Sequence, residues 1–322
     1  MKFFGFLLLL ALLATGTAAY LVYAPLTPAG ETFVDLPSGT GADAMAGKLQ
    51  TAGVLRSRYA FLLMRIWKPG VLRAGEYRFA DAASASDIYT RIRRGDVYTR
   101  AVVIPEGYNL YDIATAIQAA GLGTRADFLA AAHTNTDLIA DWSPAAISLE
   151  GYLFPDTYRF SRHATARSMQ DAMVRRFRTA TAKLGLTGDI ARTVTLASLV
   201  EKEVRYDDER AMAAGVFTNR LAQGMPLQTD PTVIYAAQLA NHWTGTIHRS
   251  DLDAESPYNT YRHTSLPPGP ICSPGVAALR AATHPAVTDN LYFVADNSGH
   301  TRFSATLAEH AQQVQAYRQG LR

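Results

Sequence analysis

Residues Phe3 to Tyr23 carry no charge, and that run constrains every other reading of the chain. Its 21 residues, at about 1.5 Å each, make a helix of roughly 31 Å, the thickness of a bilayer's hydrocarbon core. The alternative is a cleaved signal peptide, because Thr17-Ala18-Ala19 offers the small residues a signal peptidase accepts. The apolar run continues through Tyr20, Leu21, Val22 and Tyr23, beyond the length of a usual signal core, which favours an uncleaved anchor. Lys2 adds a weak positive-inside signal, and no later segment is apolar enough to span a membrane. Either way, the rest of the chain is expected outside the cytoplasm.

Composition excludes several classes. With 322 residues, 48% hydrophobic and 18% charged, the chain has material for two modest domains and a sizeable core. A formal charge of +3, with dispersed Lys and Arg, argues against nucleic acid as a partner. The densest basic run, Arg91 to Arg100, reads as a solvated helix end and turn. Cys272 is the only cysteine, and the eight histidines lack metal-site spacing, so neither a disulfide nor a zinc site is expected.

After a Pro-containing linker from Ala24 to Gly30, one pattern occurs twice. Leu36 to Leu55 and Ile104 to Gly123 align at an offset of 68, matching Pro37 with Pro105, Gly39 with Gly107 and Leu49 with Ile117. Gln50 matches Gln118, and Gly53 matches Gly121. Each copy reads as a strand ending at Pro-x-Gly, then an apolar-periodic helix stopped by a C-terminal glycine. Second helices follow at Tyr59 to Ile66 and Ala126 to His133, and Arg73 to Phe79 reads as a strand. The unit is thus strand–helix–helix–strand, the size of a small carbohydrate-binding module.

From Ser148 the texture changes. Leu149 to Phe160 gathers aromatics, a proline and two carboxylates, Glu150 and Asp156. Helices are expected over Thr165 to Lys183, Thr193 to Val204 and Asp230 to Gln238. Ser256 to Gly275 is extended loop because its prolines forbid regular structure, and Asn290 to Ser304 is a hairpin.

Within ASLVEKEVR, Glu201 and Glu203 take opposite positions on a helical wheel of about 100° per residue. Glu203 falls in the apolar stripe with Leu196, Leu199 and Val200, whereas Glu201 falls almost opposite and is expected to point away. A carboxyl on an apolar face is costly unless paired or protonated, and desolvation raises its pKa toward the value a general acid needs. A structural pairing of Glu203 with Arg220 or Arg205 remains open on the wheel alone. Loops carrying Gln228, Thr229, Asp230, Tyr258, Asn259, Thr260 and Tyr261 add hydrogen-bonding and aromatic groups of the kind that line sugar-binding grooves.

The stretches LASLVEKE, ERAMAAGVFTNRL, GMPLQTDPTVIYA, SPYNTYRHTSLPPGPICSPG and NLYFVAD, together with LEGYLFPDTY, resemble the MltG/YceG-like endolytic murein transglycosylases. The resemblance implies an α+β protein with an N-terminal membrane helix, LysM-like βααβ modules and a mixed α/β catalytic domain. Residues 1–24 would be the anchor with a short cytoplasmic end, 25–145 a LysM-like region containing the repeat, and 146–322 the catalytic domain. It implies a single-pass inner-membrane protein facing the periplasm that acts on peptidoglycan glycan strands, without metal or cofactor. The implied reaction cuts MurNAc-β-1,4-GlcNAc bonds inside strands, leaves 1,6-anhydro-MurNAc ends and terminates nascent strands, with cell-wall synthases (penicillin-binding proteins) as partners.

The family's essential glutamate is the second of the E-K-E triplet, here Glu203, the residue the wheel selects independently. Gln228, Asp230, Tyr258, Asn259 and Tyr261 are candidates for binding the sugars, with Glu150 and Asp156 weaker ones. Two alternatives stand beside this reading. One is a two-carboxylate muramidase-type hydrolase using Glu203 with Asp230 or Glu150. The other is a membrane-anchored peptidoglycan-binding scaffold that recruits synthases without catalysis. A pyridoxal phosphate lyase finds no lysine in a recognisable Schiff-base setting.

Overall fold

The computed structural model describes residues 2–320; Met1, Leu321, Arg322 and the side chain of Lys2 lie outside them, so the orientation signal at Lys2 stands on sequence alone. The chain divides into two compact units, Met1–Arg100 and Ala101–Arg322.

The first unit begins with α1 (Lys2–Tyr23), an unbroken helix in which Phe3–Tyr23 is long and apolar enough to cross a membrane. There follow β1 (Thr32–Leu36), α2 (Ala42–Thr51), α3 (Arg58–Trp67), β2 (Gly75–Phe79) and α4 (Ala85–Arg94). The strands pair antiparallel, Val34 opposite Tyr77 and Leu36 opposite Gly75. Their alternation sends Val34, Leu36, Tyr77 and Phe79 inward onto Leu49, Phe61, Met64, Ile88 and Ile92, a closed core. Val22, from the end of α1, is buried in it. The stretch Ala24–Gly30 is built into the unit and is not a free linker: Leu26 bridges Ala83 through backbone hydrogen bonds of 2.9 and 3.1 Å.

The second unit contains β3 (Arg100–Ile104), α5 (Leu110–Ala119), α6 (Arg125–Thr134) and β4 (Asp156–Phe160), which pairs with β3. Next come α7 (Ala166–Leu184), α8 (Ile190–Glu203), α9 (Asp207–Ala222), α10 (Asp230–Leu239), the short α11 (Arg249–Leu252) and α12 (Val276–Thr283). A hairpin of β5 (Tyr292–Ala295) and β6 (Thr301–Ser304) and a final helix, α13 (Leu307–Gly320), complete it.

Both copies of the sequence pattern thus form β-α-α-β, and they close in the same way. The amide of Gly53 bonds to Gln50 and that of Val54 to Leu49, while Gly121 bonds to Gln118 and Leu122 to Ile117. Each is a Schellman stop with glycine in the left-handed region, φ +73° and +66°. In each copy the matched glutamine also caps the next helix, Gln50 accepting from the Arg58 amide and Gln118 from the Arg125 amide. The copies nevertheless fall into different units. Expected together in residues 25–145, they separate because the second shares its core (Ile104, Ile113, Ile117, Phe128) with Leu149, Tyr152 and Phe177.

Helix α8 is the axis of the second unit, packed by α9, α10 and α12. Its residues Val194 through Val200 are all buried, with no solvent face in the middle of the helix. Ser198 is bonded on both sides: its Oγ donates to the Thr195 carbonyl and accepts the Ile271 amide.

Candidate active site

Helix α8 ends at Glu203, where Val204 turns extended and the first turn of α9 carries Asp207, Asp208 and Glu209. The carboxyl of Glu203 opens into a cavity of about 330 Å³. Arg220 of α9, Leu227, Gln228, Asp230, Tyr261, Phe293 of β5 and His310 of α13 line the rest of it. Among the described residues nothing hydrogen-bonds or ion-pairs with this carboxyl. Burial and the neighbouring Asp230 push its pKa up to about 7, against a smaller pull from Arg220. The C-terminal end of a helix dipole also disfavours negative charge at this position.

The other groups are held firmly. Tyr261 donates its hydroxyl to Asp230 Oδ1 at 2.7 Å, and burial together with Asp230 keeps the phenol protonated. Asn259, fully buried, places Tyr261: its Oδ1 accepts the Tyr261 amide while its Nδ2 donates to the carbonyls of Leu252 and Ala254. The Gln228 loop is stitched to the same segment. Gln228 donates its amide to the Thr260 carbonyl, Thr229 donates its amide to Thr260 Oγ1, and Thr232 Oγ1 lies 2.9 Å from that hydroxyl. Gln228 itself adopts φ +54°, a strained conformation for a residue with a side chain, held by these bonds beside the cavity.

Arg220 donates from Nε to the Leu291 carbonyl and from Nη1 to those of Pro226 and Leu227, so its charge is fixed without pairing to Glu203. The pairing considered with Arg205 is not formed either; Arg205 lies over the Tyr206 ring. His310 stacks on Tyr292 and keeps Nδ1 buried without a partner, and burial with the nearby Arg220 lowers its pKa.

Of the sequence candidates, Gln228, Asp230 and Tyr261 share the cavity with Glu203, and the other four lie elsewhere. Glu150 is buried at the start of α5, accepting from the Leu110 amide and the Tyr235 hydroxyl, both at 3.0 Å. Its pKa is pushed up to about 7 by burial, but it serves as a helix cap. Asp156 pairs with Arg176 at the surface at 2.6 Å. Tyr258 packs on Tyr235 and lines two other cavities, and Asn259 acts through Tyr261.

Arg220, Phe293 and His310 were not proposed as site residues. Arg220 enters the sequence reading only as a structural partner for Glu203, and nothing in the sequence aims Phe293 or His310 at that carboxyl. Among the described residues no cluster of three His, Cys, Asp or Glu is arranged to hold a metal ion.

Glu201 departs from its wheel position. Its side chain is only 5% exposed, because α9 and α12 cover the face expected to meet water. Arg210 bonds it at 2.6 Å, and the Gly275 amide donates to it at 2.9 Å, capping α12. Both glutamates are therefore withdrawn from solvent. Glu201 has a cation and a helix terminus; Glu203 has neither.

A family model described as YceG-like family matches residues 34–316. The chain belongs to the YceG-like family. It is 33% identical over 307 residues to an endolytic murein transglycosylase of Bacillus subtilis, covering 88% of this chain and 84% of that protein. It is 30% identical over 318 residues to an endolytic murein transglycosylase of Streptococcus pneumoniae, covering 87% of this chain and 57% of that longer protein. A crystal structure of a yceG-like protein from Listeria monocytogenes aligns over 88% of this chain and 98% of that one, with a TM-score of 0.57 and 31% identity. The cavity around Glu203 lies wholly within the matched residues of this YceG-like chain.

Proposed function

We propose that this chain is an endolytic lytic transglycosylase of peptidoglycan and that Glu203 is its single acid–base group. The observation that carries the reading is a carboxyl at the end of α8, unpaired, half-buried in a polar cavity and protonated up to about pH 7. The names of the relatives supply the substrate class, murein strands.

The chemistry follows from one carboxyl. Protonated Glu203 donates to the glycosidic oxygen as the bond from C1 of N-acetylmuramic acid breaks. The carboxylate so formed takes the proton of that sugar's own C6 hydroxyl as O6 bonds to C1, giving the 1,6-anhydro end and restoring the acid. An intramolecular nucleophile has a high effective concentration, so no second carboxylate is needed. Asp230, Tyr261 and Gln228 bind and orient the sugar, and a partly closed cavity favours ring closure over attack by water.

In this reading α1 is a single-pass inner-membrane anchor, the second unit works in the periplasm, and the β-α-α-β of the first unit is a LysM-like glycan-binding module. Cutting beside the membrane would terminate nascent strands next to the synthases that make them.

A two-carboxylate hydrolase is the second reading, because Asp230 lines the same cavity. Glu150, capping α5, is not available for that role. Digestion of purified sacculi followed by mass spectrometry separates the two. Anhydro ends from the wild type, and none from Glu203→Gln, are expected. Reducing ends in their place would overturn the transglycosylase reading. An undiminished digest by Glu203→Gln would leave only a scaffold.

A further inference from the structure

Helix α3 is apolar nearly all round, and half of that surface has no partner. Ala60, Phe61 and Met64 face the core of the first unit. Tyr59, Leu63, Ile66 and Trp67 point outward and are exposed, Ile66 by 80% and Trp67 by 64%. At about 100° per residue these four fall within an arc of roughly 100°, one continuous stripe. A soluble surface seldom leaves four large apolar side chains together on one helix.

Two further observations say what covers the stripe. The first is its tether. Arg56, just before the N-cap Ser57, donates from Nη1 to the Ala24 carbonyl and from Nη2 to that of Pro25, each at 2.6 Å. Its guanidinium also lies over the ring of Tyr20. The start of α3 is thus clamped to the residues where α1 ends, and α1 packs against α3 and α4. With Val22 buried in the same core, the unit cannot swing away from the end of α1. The second is charge. No acidic residue occurs between Asp43 and Glu76, whereas Lys48, Arg56, Arg58, Arg65, Lys68 and Arg73 do. Lys68, the C-cap that follows Trp67 at the end of the stripe, is exposed and pairs with no carboxylate among the described residues.

We infer that the Tyr59–Leu63–Ile66–Trp67 face of α3 lies in the membrane interface beside α1, its rings at the headgroup–acyl boundary and Lys68 against lipid phosphates. Aromatic residues favour that layer because one end of each ring is apolar and the other polar, and basic side chains reach from it to anionic headgroups. The inference rests on the proposed anchoring by α1. It makes the first unit a collar seated on the bilayer surface at the end of α1.

The test uses the full chain in vesicles of phosphatidylethanolamine and phosphatidylglycerol. Ile66→Cys is spin-labelled; the native Cys272 is fully buried and does not compete. Val287→Cys, at a fully exposed position of the second unit, is the aqueous reference. Collision with oxygen, which concentrates in lipid, is compared with collision with a water-soluble nickel chelate. The expected result is an oxygen-to-nickel ratio above one at position 66 and below one at position 287. A ratio at 66 equal to that at 287, in protein that floats with the vesicles, overturns the inference and leaves the anchor standing. Low access to both reagents at 66 also overturns it, showing a protein contact on that face. Failure of the chain to float with vesicles removes the anchor reading itself.

Discussion

Glu203→Gln separates a catalytic acid from a structural one through stability as well as activity. The carboxyl titrates near 4.5 in an unfolded chain and near 7 in the native one. A difference of about 2.5 units corresponds to about 3 kcal/mol. Because the native state holds this proton to higher pH than the unfolded chain, stability falls as pH rises from about 4.5 through 7. Glutamine has the shape of the protonated acid and no charge to desolvate. The variant is therefore expected to be more stable than wild type by about 3 kcal/mol at pH 8, and by only about 1 kcal/mol at pH 5. Denaturant unfolding at both pH values in a Trp67→Phe, Trp243→Phe background, followed by the fluorescence of Trp142 on its stacked partner Tyr152, reads this difference in the second unit. Glu150 titrates in the same range but is present in both proteins and cancels. The wild-type kcat/KM should fall tenfold per pH unit above about 7, with the variant inactive throughout. An advantage of glutamine that does not change between pH 5 and pH 8 would refute a protonated native Glu203.

Other perturbations probe the surroundings. Arg210→Met strands Glu201 as a buried charge and should cost about 3 to 5 kcal/mol in denaturant unfolding, most of it recovered when Glu201→Gln is added. Tyr261→Phe removes the bond to Asp230 and should lower kcat/KM about tenfold, with the circular dichroism spectrum unchanged. Gly215→Ala would ordinarily steady α9 by up to about 1 kcal/mol. Here the added Cβ meets the Ala286 carbonyl oxygen, so the melting temperature should fall instead.

The parts of this chain legible in its sequence are those whose cause lies within a few residues. Gln50 and Gln118 recur 68 residues apart because each closes one helix and opens the next, a local task that two copies solve alike. The apolar run of α1, Pro231 at the start of α10 and the Asn297-Ser298-Gly299 turn are local in the same sense. The site is not. The helical wheel sets Glu203 among apolar residues and Glu201 opposite them, yet its premise, that one side of the helix faces water, fails on a helix wrapped by α9, α10 and α12. Burial alone therefore does not distinguish the two acids. Compensation does: Arg210 comes from the next helix and the Gly275 amide from a loop more than seventy residues on, and both reach Glu201. Likewise Tyr258, Asn259 and Tyr261 look equivalent as a run of sugar-binding types, but the turn sends one ring into the core, spends the amide on carbonyls and leaves only Tyr261 in the cavity. A buried acid becomes a candidate for catalysis when the fold withholds its cation, and the withholding is a tertiary property. At the end of α8, Arg220 stands near enough to be felt by Glu203 yet spends its donors on backbone carbonyls. The proton therefore stays on the carboxyl up to about pH 7, as the proposed general acid requires.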